Sequence, residues 1–526
     1  MDVFLYETTG TDDAGDPVAI RLTSGQGYNH PSAPGFFEGR MLAASDASAG
    51  LSVQRSVFDG GRFGGGDLAY GVVEAANPDG ALDSWLDLGF GLDATLKLGE
   101  EEATYGSFTT VLKARASQVI VSDQALTFGW QSRMTELDLP ACPATFAGTN
   151  SGTTGLEGTA DDIKGNPKPW AMGVLKGITP VVLNGSTRIL GWNFDTDGSR
   201  LPTDSIDAVK YQGALWTAGT DYPNAAALAA STASTGIYNT CLAESLILMG
   251  GSASLNGKIT LDVTIEATAS ARYAGSLWKA CLLRAGVSSG DISAADMTAL
   301  NTAAPYQAGY YAQGENYREV ADKLAASIAA CYAPDRLGVY RIRQMTAPSG
   351  TPVASFKRLE LDSVQGPDEG DLMQVVPIGS DWTPVKQVRV AYARNWTPLT
   401  PNEVASAVSA DDQAFLTAAW RYTDPADDSD VATKYGNALT RDFETYLASE
   451  ADAEAIRDVL LALFGAQRRE YQATVSYGTA FAALLELGAV IRVTHPKYGM
   501  SAGVLAAIHG IRLRDTTEVA ELKLWF

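Results

Sequence analysis

The sequence predicts a β-rich α+β fold, made of several small β-barrel or β-sandwich domains with one helical insertion. Residues 1–150 contain many short apolar segments that alternate with Gly-, Asn- and Pro-rich turns. Between residues 270 and 345 the apolar period changes to that of a helix. Alternating segments return near the C-terminus. The chain of 526 residues is 46% hydrophobic, which is enough for several packed cores.

The first predicted domain, residues 1–150, is an N-terminal β domain. Its most informative stretch is Asn77–Phe90, in which a turn precedes an apolar segment with Asp79, Asp83 and Asp87 on the opposite face. A strand over Leu88–Leu98 and a helical turn over Gln131–Asp138 are expected to follow. The other predicted strands are Met1–Tyr6, Val18–Thr23, Phe36–Met41, Gly71–Ala75, Val119–Val121 and Ala125–Trp130.

The second predicted domain, residues 151–269, is a β domain that begins within a long Gly- and Thr-rich loop, 140–169. Loops longer than about 15 residues usually have a function or contact a partner. The best strand in this domain is Lys258–Glu266, in which apolar residues alternate with polar ones at Ile259, Leu261, Val263 and Ile265. The remaining candidates are strands at Met172–Leu183, Thr187–Trp192 and Ser205–Tyr211, and a small helix at Thr220–Ala230.

The third and fourth predicted domains are a helix-containing domain, 270–350, and a C-terminal domain, 351–526, with helices and a terminal β-barrel. Apolar residues at helical spacing predict helices at 274–282, Ser293–Asn301, Asn316–Ala330, Asn402–Val408, Asp411–Trp420 and Ala451–Phe464. Alternation predicts strands at Gly338–Gln344, Gln387–Ala393, Arg469–Ser476, Ala489–His495, Ala506–Leu513 and Val519–Phe526.

Charge and composition exclude several classes of protein. The formal net charge of −22 argues against a grip on nucleic-acid phosphates, which needs clustered Lys and Arg. No apolar run approaches the roughly 18 residues that span a bilayer, and we expect neither a membrane-spanning segment nor a signal peptide. The four cysteines are far apart and lack metal-ligand spacing, so buried free thiols are predicted.

The sequence offers no convincing catalytic, cofactor or metal site, so we predict a protein that is not an enzyme. The Gly-rich run 58–67 lacks the Lys-Ser/Thr ending of a phosphate loop, which favours a flexible or interface loop. The fragment Asp195–Gly198 resembles the start of a calcium loop but lacks its later ligands, so an acidic turn is favoured. His30, His495 and His509 have no nucleophile elbow beside them.

Four segments resemble tail proteins of long-tailed, non-contractile bacteriophages, and their order and extent carry the resemblance. They are NPDGALDSWLDLGF (77–90), LKARASQVIVSDQALTFGWQSRMTELDLP (112–140), FAGTNSGTTGLEGTADDIKGNPKPWAMGVLKGITPVVLN (146–184) and the closing block LLELGAVIRVTHPKYGMSAGVLAAIHGIRLRDTTEVAELKLWF (484–526). The family is the siphophage tail-tip or baseplate hub, which is similar to the hubs of contractile phages.

The resemblance implies a structural virion protein located at the phage tail tip and made in the cytoplasm of a bacterial host. Such hubs are homotrimers that close the tail tube and connect the distal tail protein ring to a tail fibre or spike. The implied partners also include the tape-measure protein, and the implied role extends to DNA ejection. DNA would pass through without specific binding, since an acidic wall repels phosphate.

Aromatic residues provide weak candidates for interface anchors, because buried aromatics dominate interface energetics. We select Trp85, Phe90, Trp170 and Trp192, although ordinary core packing explains each one taken alone. Two other functions stay open. A receptor- or carbohydrate-binding tail module would present an exposed aromatic cluster, and a cell-wall hydrolase would present a cleft with two poised acids or a metal.

Overall fold

The computed structural model describes residues 2–42, 52–53, 63–66, 68–69, 72–91, 93–251, 257–358, 369–378, 384–476, 485–486, 488–514 and 519–526. Residues 58–62 and 67 of the Gly-rich run lie outside this described part. Within it, strands predominate and most helices lie in the second half of the chain. The predicted β-rich α+β class is therefore confirmed.

An eight-stranded sheet forms the N-terminal region, in the order β3-β4-β2-β1-β9-β10-β11-β8. Segment 40–42 hydrogen-bonds to β2 at Thr23 and to β8 at Glu74, which connects β8, at one end of the sheet, with β2, the third strand from the other end. The sheet is thus curled like a barrel. Its strands and those next to it are β1 (Asp2–Thr11), β2 (Pro17–Thr23), β3 (Gly27–Tyr28), β4 (Phe37–Glu38), β5 (Ser52–Val53), β6 (Gly64–Gly65), β7 (Leu68–Ala69), β8 (Val72–Ala76), β9 (Asp93–Glu100), β10 (Thr109–Val121) and β11 (Ala125–Gln131).

Both faces of this sheet are covered at β1. Successive side chains of a strand point to opposite faces, and the adjacent residues Leu5 and Tyr6 are each 1% exposed. Leu5 packs with Tyr28 and Phe37, whereas Tyr6 belongs to a second cluster around Phe128. The predicted strand Leu88–Leu98 begins later than expected, since β9 starts at Asp93.

Two five-stranded sheets form the next region, in the orders β16-β15-β20-β12-β21 and β13-β14-β19-β18-β17. The edge strand β21 (Gly309–Ala312) comes from the following region of the chain. Their elements are β12 (Trp170–Ile178), β13 (Val181–Asn184), β14 (Ile189–Gly191), β15 (Ser205–Tyr211), β16 (Ala214–Leu215), β17 (Thr217–Asp221), α1 (Ala225–Ala229), β18 (Ile237–Cys241), β19 (Leu246–Met249) and β20 (Ile259–Thr264). The strand predicted at Lys258–Glu266 exists as β20, and all six of its residues are buried, including the polar ones. The buried Asp262 carboxylate is satisfied by hydrogen bonds from Gly177 N (2.9 Å) and Lys210 Nζ (2.8 Å).

Helices and short strands alternate in the central region. They are α2 (Ala274–Arg284), α3 (Ala294–Ala303), β21 (Gly309–Ala312), α4 (Tyr317–Ala326), β22 (Ala330–Pro334) and β23 (Tyr340–Gln344). Helix α4 begins with a reciprocal cap, in which the Asn316 side chain accepts from Glu319 N (2.8 Å) and the Glu319 carboxylate accepts from Asn316 N (3.2 Å). Strand β6 of the N-terminal region pairs in parallel with β22, so these two regions share a sheet.

The C-terminal region contains a closed six-stranded barrel, in the order β24-β25-β30-β33-β32-β31. We call these six strands the C-terminal barrel. A small sheet around β26 and the long helix α7 precede its last four strands along the chain. The elements are β24 (Ser355–Lys357), β25 (Glu369–Ile378), β26 (Val385–Tyr392), α5 (Ala410–Thr417), β27 (Arg421–Tyr422), β28 (Ala426–Asp427), α6 (Ser429–Lys434), β29 (Leu439–Glu444), α7 (Glu450–Phe464), β30 (Glu470–Ser476), β31 (Val490–Thr494), β32 (Val504–Arg514) and β33 (Val519–Trp525).

One hydrophobic core joins most of these regions. It contains Met134 from the N-terminal region, Trp278 and Tyr332 from the central region, and Phe464 and Trp525 from the C-terminal region. This core crosses the predicted boundaries near residues 150, 270 and 350. The C-terminal barrel has a second core of its own, around a set of buried apolar side chains: Phe356, Leu372, Val475, Ile491 and Leu522.

Candidate assembly surfaces and the interdomain cavity

The Asn77–Phe90 segment is a hydrogen-bonded turn that leads into a short 3₁₀ helix, Asp83–Trp85. The Asn77 side chain accepts from Leu82 N (2.9 Å) and donates to Asp83 (2.8 Å). Both carboxylate oxygens of Asp79 accept from the Arg40 guanidinium, at 2.8 and 2.7 Å. These bonds lower the pKa of Asp79 to about 2. Asp79 therefore ties the turn to segment 40–42.

The structure brings two of the four selected aromatic residues together. The rings of Trp85 and Phe90 each lie 6.1 Å from the ring of Phe128, and both are half-buried. Ile120, 66% exposed, lies beside Phe90 along a shallow groove of about 440 Å³. An interface role for Trp85 and Phe90 stays a prediction, and both retain accessible area for it.

The other two selected residues lie in separate cores. Trp170 is 6% exposed, and the Arg284 guanidinium lies 4.4 Å from its ring centroid. Trp192 is 0% exposed, and its indole Nε1 donates to Thr203 Oγ1 (3.0 Å). Because these side chains contact the chain's own core, they offer little or no surface to a partner. The sequence around Trp170 and Trp192 did not distinguish these buried residues from the half-buried Trp85 and Phe90.

The long loop 140–169 is held by its own hydrogen bonds. Phe146 N donates to Asn166 O (3.0 Å), and Gly148 N donates to Glu157 O (3.0 Å). The ammonium of Lys168, whose side chain is 8% exposed, donates to Glu157 (2.7 Å) and to Gly198 O (3.2 Å). The tip at residues 151–155 is exposed. These hydrogen bonds therefore hold the loop in one conformation, as is required of a loop that contacts a partner through its exposed tip.

The acidic turn Asp195–Gly198 is bound by polar groups of the chain itself. Asp195 pairs with Arg284 (2.9 Å), Gly198 O accepts from Lys168, and Asp197 accepts from Ser199 N (2.8 Å). Across the described part of the chain, no group of three or more His, Cys, Asp and Glu side chains is placed to hold a metal ion. The contacts of Asp195 and Gly198 are those of a structural turn.

The described part of the Gly-rich run is packed into the core. Phe63 lies against Phe464 with 6.0 Å between ring centroids, and Gly65 N donates to Asp322 Oδ1 (2.6 Å). A Cβ at Gly65 would lie 2.7 Å from Met134 Cε, so a larger residue at this position would require the buried Met134 side chain to shift. The flexible or interface loop expected here does not describe residues 63–66.

The three histidines lie in different segments. His30 shares a hydrogen bond with Ser32 (2.7 Å) inside one surface turn. His495 is 3% exposed and lies 3.3 Å from Arg358, and burial lowers its pKa. His509 is 7% exposed and lies on β32. Each histidine thus belongs to a different local structure.

Among the helices of the described residues, none is long and apolar enough to cross a bilayer.

A cavity of about 200 Å³ lies between β22–β23 and the C-terminal barrel. Its lining includes Tyr332, Arg343, Glu486, His509 and Trp525. Glu486 pairs with Arg336 (3.2 Å), a residue 150 positions away along the chain. Burial, followed by the nearby Asp335 carboxylate, raises the pKa of Glu486 to about 7. Sequence reasoning missed this cluster, since no local pattern links the two segments.

Comparison with known proteins gives likeness in structure only. No family model matches the chain, and no curated protein matches its sequence. The chain is similar to a chain in the virion of a native gene transfer agent particle, at 12% identity and a TM-score of 0.42, covering 73% of this chain and 91% of that chain.

Two further similarities are to crystal structures. The tail protein from Neisseria meningitidis is 11% identical, with a TM-score of 0.36, over 87% of this chain and 88% of that chain. The 43 kDa tail protein of a prophage from Shewanella oneidensis is 9% identical, with a TM-score of 0.37, over 100% of this chain and 96% of that chain. Both of these proteins are named as tail proteins.

Proposed function

We propose that this chain is a structural virion protein, the tail-tip or baseplate hub of a siphophage, and that it works as a homotrimer that closes the tail tube. The observation that carries the proposal is the placement of a curled β module at each end of the chain, both packed on one central core. A block built in this way holds several surfaces in fixed relative positions. The sequence resemblance over residues 77–90, 112–140, 146–184 and 484–526 supports the same function.

A closed ring of three copies would use surfaces that the isolated chain leaves open. The edge strand β17 has all five residues exposed, and unpaired strand edges are usually covered or paired in proteins. In a different region, the half-buried Phe90 lines a groove together with the exposed Ile120. We assign such surfaces to contacts between protomers or with the distal tail protein ring, since cyclic assemblies join two different patches.

The charge of the chain suits a passage for DNA. With a formal net charge of −22, a lumen lined by acidic side chains repels phosphate and so lets DNA move without a specific grip. In this role the hub joins the distal ring to a fibre or spike and contacts the tape-measure protein. DNA ejection would then pass through it, in a virion assembled in the bacterial cytoplasm.

The first test is the mass of the full chain in solution by light scattering at several concentrations, with and without the distal tail ring protein. We expect a species of three subunits, or a complex of three chains on a six-subunit ring. A chain that stays monomeric and ignores the ring at high concentration contradicts the proposal.

The two other functions have their own assays. Retention on cell-surface glycans in a pull-down would favour a receptor- or carbohydrate-binding module. Clearing of a suspension of purified cell walls would favour a hydrolase. A hub without these activities gives neither signal at concentrations where it binds the ring.

A further inference from the structure

An arginine lies among three aromatic rings just after the end of β26. The guanidinium carbon of Arg394 is 4.3 Å from the ring centroid of Trp396, 5.3 Å from that of Trp420 and 5.2 Å from that of Tyr446. Arg394 Nη1 also donates to Tyr446 Oη (2.6 Å). Arg394, Trp396 and Trp420 are half-buried, whereas Tyr446 is buried. We call these four residues the Arg394 cluster.

The backbone beside Arg394 is held by neighbouring segments. Ala393 has a φ of 46°, in the left-handed region that residues with a Cβ rarely adopt. Its N–H donates to Leu447 O (2.8 Å), and Trp396 N donates to Lys176 O (3.1 Å). Because these bonds fix the chain on both sides of Arg394, the cluster has little backbone freedom left to lose when it binds a partner.

The charge of Arg394 has no counter-charge within the described part of the chain. No carboxylate there makes an ion pair with it, and its Nε and Nη2 have no hydrogen-bond partner there and reach solvent. The nearby Glu315 carboxylate accepts instead from Tyr310 Oη (3.3 Å) and Gln313 N (2.8 Å), and Glu444 is exposed. Half-burying such a cation costs free energy, which a carboxylate from outside the chain would offset.

Arg389, on β26, shows the contact that Arg394 lacks. Its guanidinium carbon lies 4.3 Å from the ring centroid of Tyr422, and its Nε donates to the carboxylate of Asp442 (3.0 Å). Arg394 stacks on Trp396 at the same distance. The two arrangements therefore differ in one component, an acidic side chain at the open edge of the guanidinium.

We propose that the Arg394 cluster binds an Asp or Glu side chain of a second copy of this chain. The inference rests on the proposed homotrimer and names one of its contacts. A second copy is rich in the required group, since the chain has 61 acidic and 39 basic residues. Arg, Trp and Tyr are also the residues that contribute most to binding at the centres of protein interfaces.

The chemistry of the cluster favours a protein carboxylate over a sugar acid. The guanidinium already occupies a face of Trp396 on which a sugar ring would stack. What stays open is the edge of the guanidinium, whose paired N–H groups match the two oxygens of a carboxylate.

The test compares self-association of the native chain and of Arg394→Met, by light scattering at a series of concentrations, alone and with the distal tail ring protein. Removing an arginine of this kind should raise the concentration needed for half-assembly on the order of 30-fold. Equal self-association of the two chains overturns the contact.

Arg389→Met is the matched control. It removes a stacked arginine of the same sheet whose carboxylate comes from the chain itself, so its assembly should equal that of the native chain. A loss as large as that of Arg394→Met would assign the effect to net charge and overturn the specific contact.

A second variant keeps the proposal testable if Arg394→Met does not fold, which thermal unfolding would show. Arg394→Lys retains the charge and the apolar stem but not the planar fork, so assembly should weaken several-fold. Assembly equal to that of the native chain would overturn the contact.

The outcomes separate this contact from the hub function. A native chain that assembles equally with and without Arg394 keeps the hub and loses the contact, whereas a chain that neither assembles nor binds the ring contradicts both. N-acetylneuraminic acid serves as a probe for a sugar carboxylate. If it changes the tryptophan fluorescence of the native chain but not of Arg394→Met, the cluster takes a saccharide, and docking of a second copy is overturned.

Discussion

The two ends of the chain build the same kind of module and attach it to the centre in different ways. The C-terminal barrel closes by an unbroken ladder of six strands, whereas the N-terminal sheet of eight strands is joined through the hydrogen bonds of segment 40–42. Arg133 of the N-terminal region donates a hydrogen bond to Gly338 O of the central region, whereas Trp525 of the C-terminal barrel packs in the central hydrophobic core. Met134 also places the N-terminal region in the central core, so the N-terminal contact combines apolar packing with a buried arginine, whereas Trp525 holds the barrel by apolar packing.

The largest effect on stability should come from removing the apolar contact of Trp525. Trp525 is 1% exposed within the central core, so Trp525→Ala should lower the free energy of unfolding by about 3–5 kcal/mol, through lost burial and the cavity left behind. Urea unfolding measures this loss. Leu215→Ala, at a side chain 73% exposed, should change stability by less than about 0.5 kcal/mol. A small loss for Trp525→Ala would mean that the barrel is held by other contacts.

Stability should be nearly as sensitive to the loss of the polar contacts of Arg133. Arg133 donates to Glu136 at 2.8 Å and to Gly338 O at 2.8 Å, with its side chain 8% exposed. Arg133→Met leaves buried Glu136 with Arg115 as a remaining cation (3.2 Å) and should cost about 3 kcal/mol. Thermal unfolding of Arg389→Met, which breaks an exposed pair with Asp442, provides the control and should show a far smaller shift. Equal shifts in the two variants would contradict a special role for Arg133.

The packing around the sheet that β6 shares with β22 can be tested by adding a methyl group at Gly65. Gly65→Ala would place a Cβ 2.7 Å from Met134 Cε and 2.9 Å from Asp322 Oδ1, and should destabilise the fold by about 1–3 kcal/mol. Gly106→Ala is the matched control, because nothing lies within 4 Å of its Cβ position. If both variants unfold at the same urea concentration, the packing around β6 has room to adjust.

Local patterns predicted the elements well where the signal was local. Helix α7 (Glu450–Phe464) follows the predicted Ala451–Phe464, and the last four strands begin and end within two residues of their predicted bounds. Both depend on apolar spacing within one segment, and the N-cap residue of α7 is Ser449, whose side chain accepts from Asp452 N (3.2 Å). Such signals survive because neighbours in sequence stay neighbours in space.

The docking contacts were not predictable in the same way. Arg336 and Glu486 meet across 150 residues, and nothing near either one marks it as a partner. The four selected aromatics show the same limit, since Trp192 is fully buried and Trp85 is half-buried although both follow from the same criterion. Burial depends on which surfaces meet in three dimensions, and the apolar period specifies only that a segment has a buried face.

The smallest expected effect is at the exposed ion pair between Arg40 and Asp79 in the N-terminal region. At the N-terminal end, the Arg40 guanidinium holds the pKa of Asp79 at about 2, below its ordinary 3.8. The contribution of this pair to stability is therefore present above about pH 4 and is lost as pH falls toward 2.

An NMR titration of the Asp79 carboxyl in Arg40→Gln should show its pKa return toward the ordinary value. Since Asp79 is open to solvent, the melting temperature at neutral pH should barely change. A pKa that stays near 2 without Arg40 would assign the shift to the backbone hydrogen bond from Ala81 N (3.3 Å). In either case, acid weakens the Arg40–Asp79 pair, because protonation of the carboxylate removes the negative charge that the guanidinium contacts.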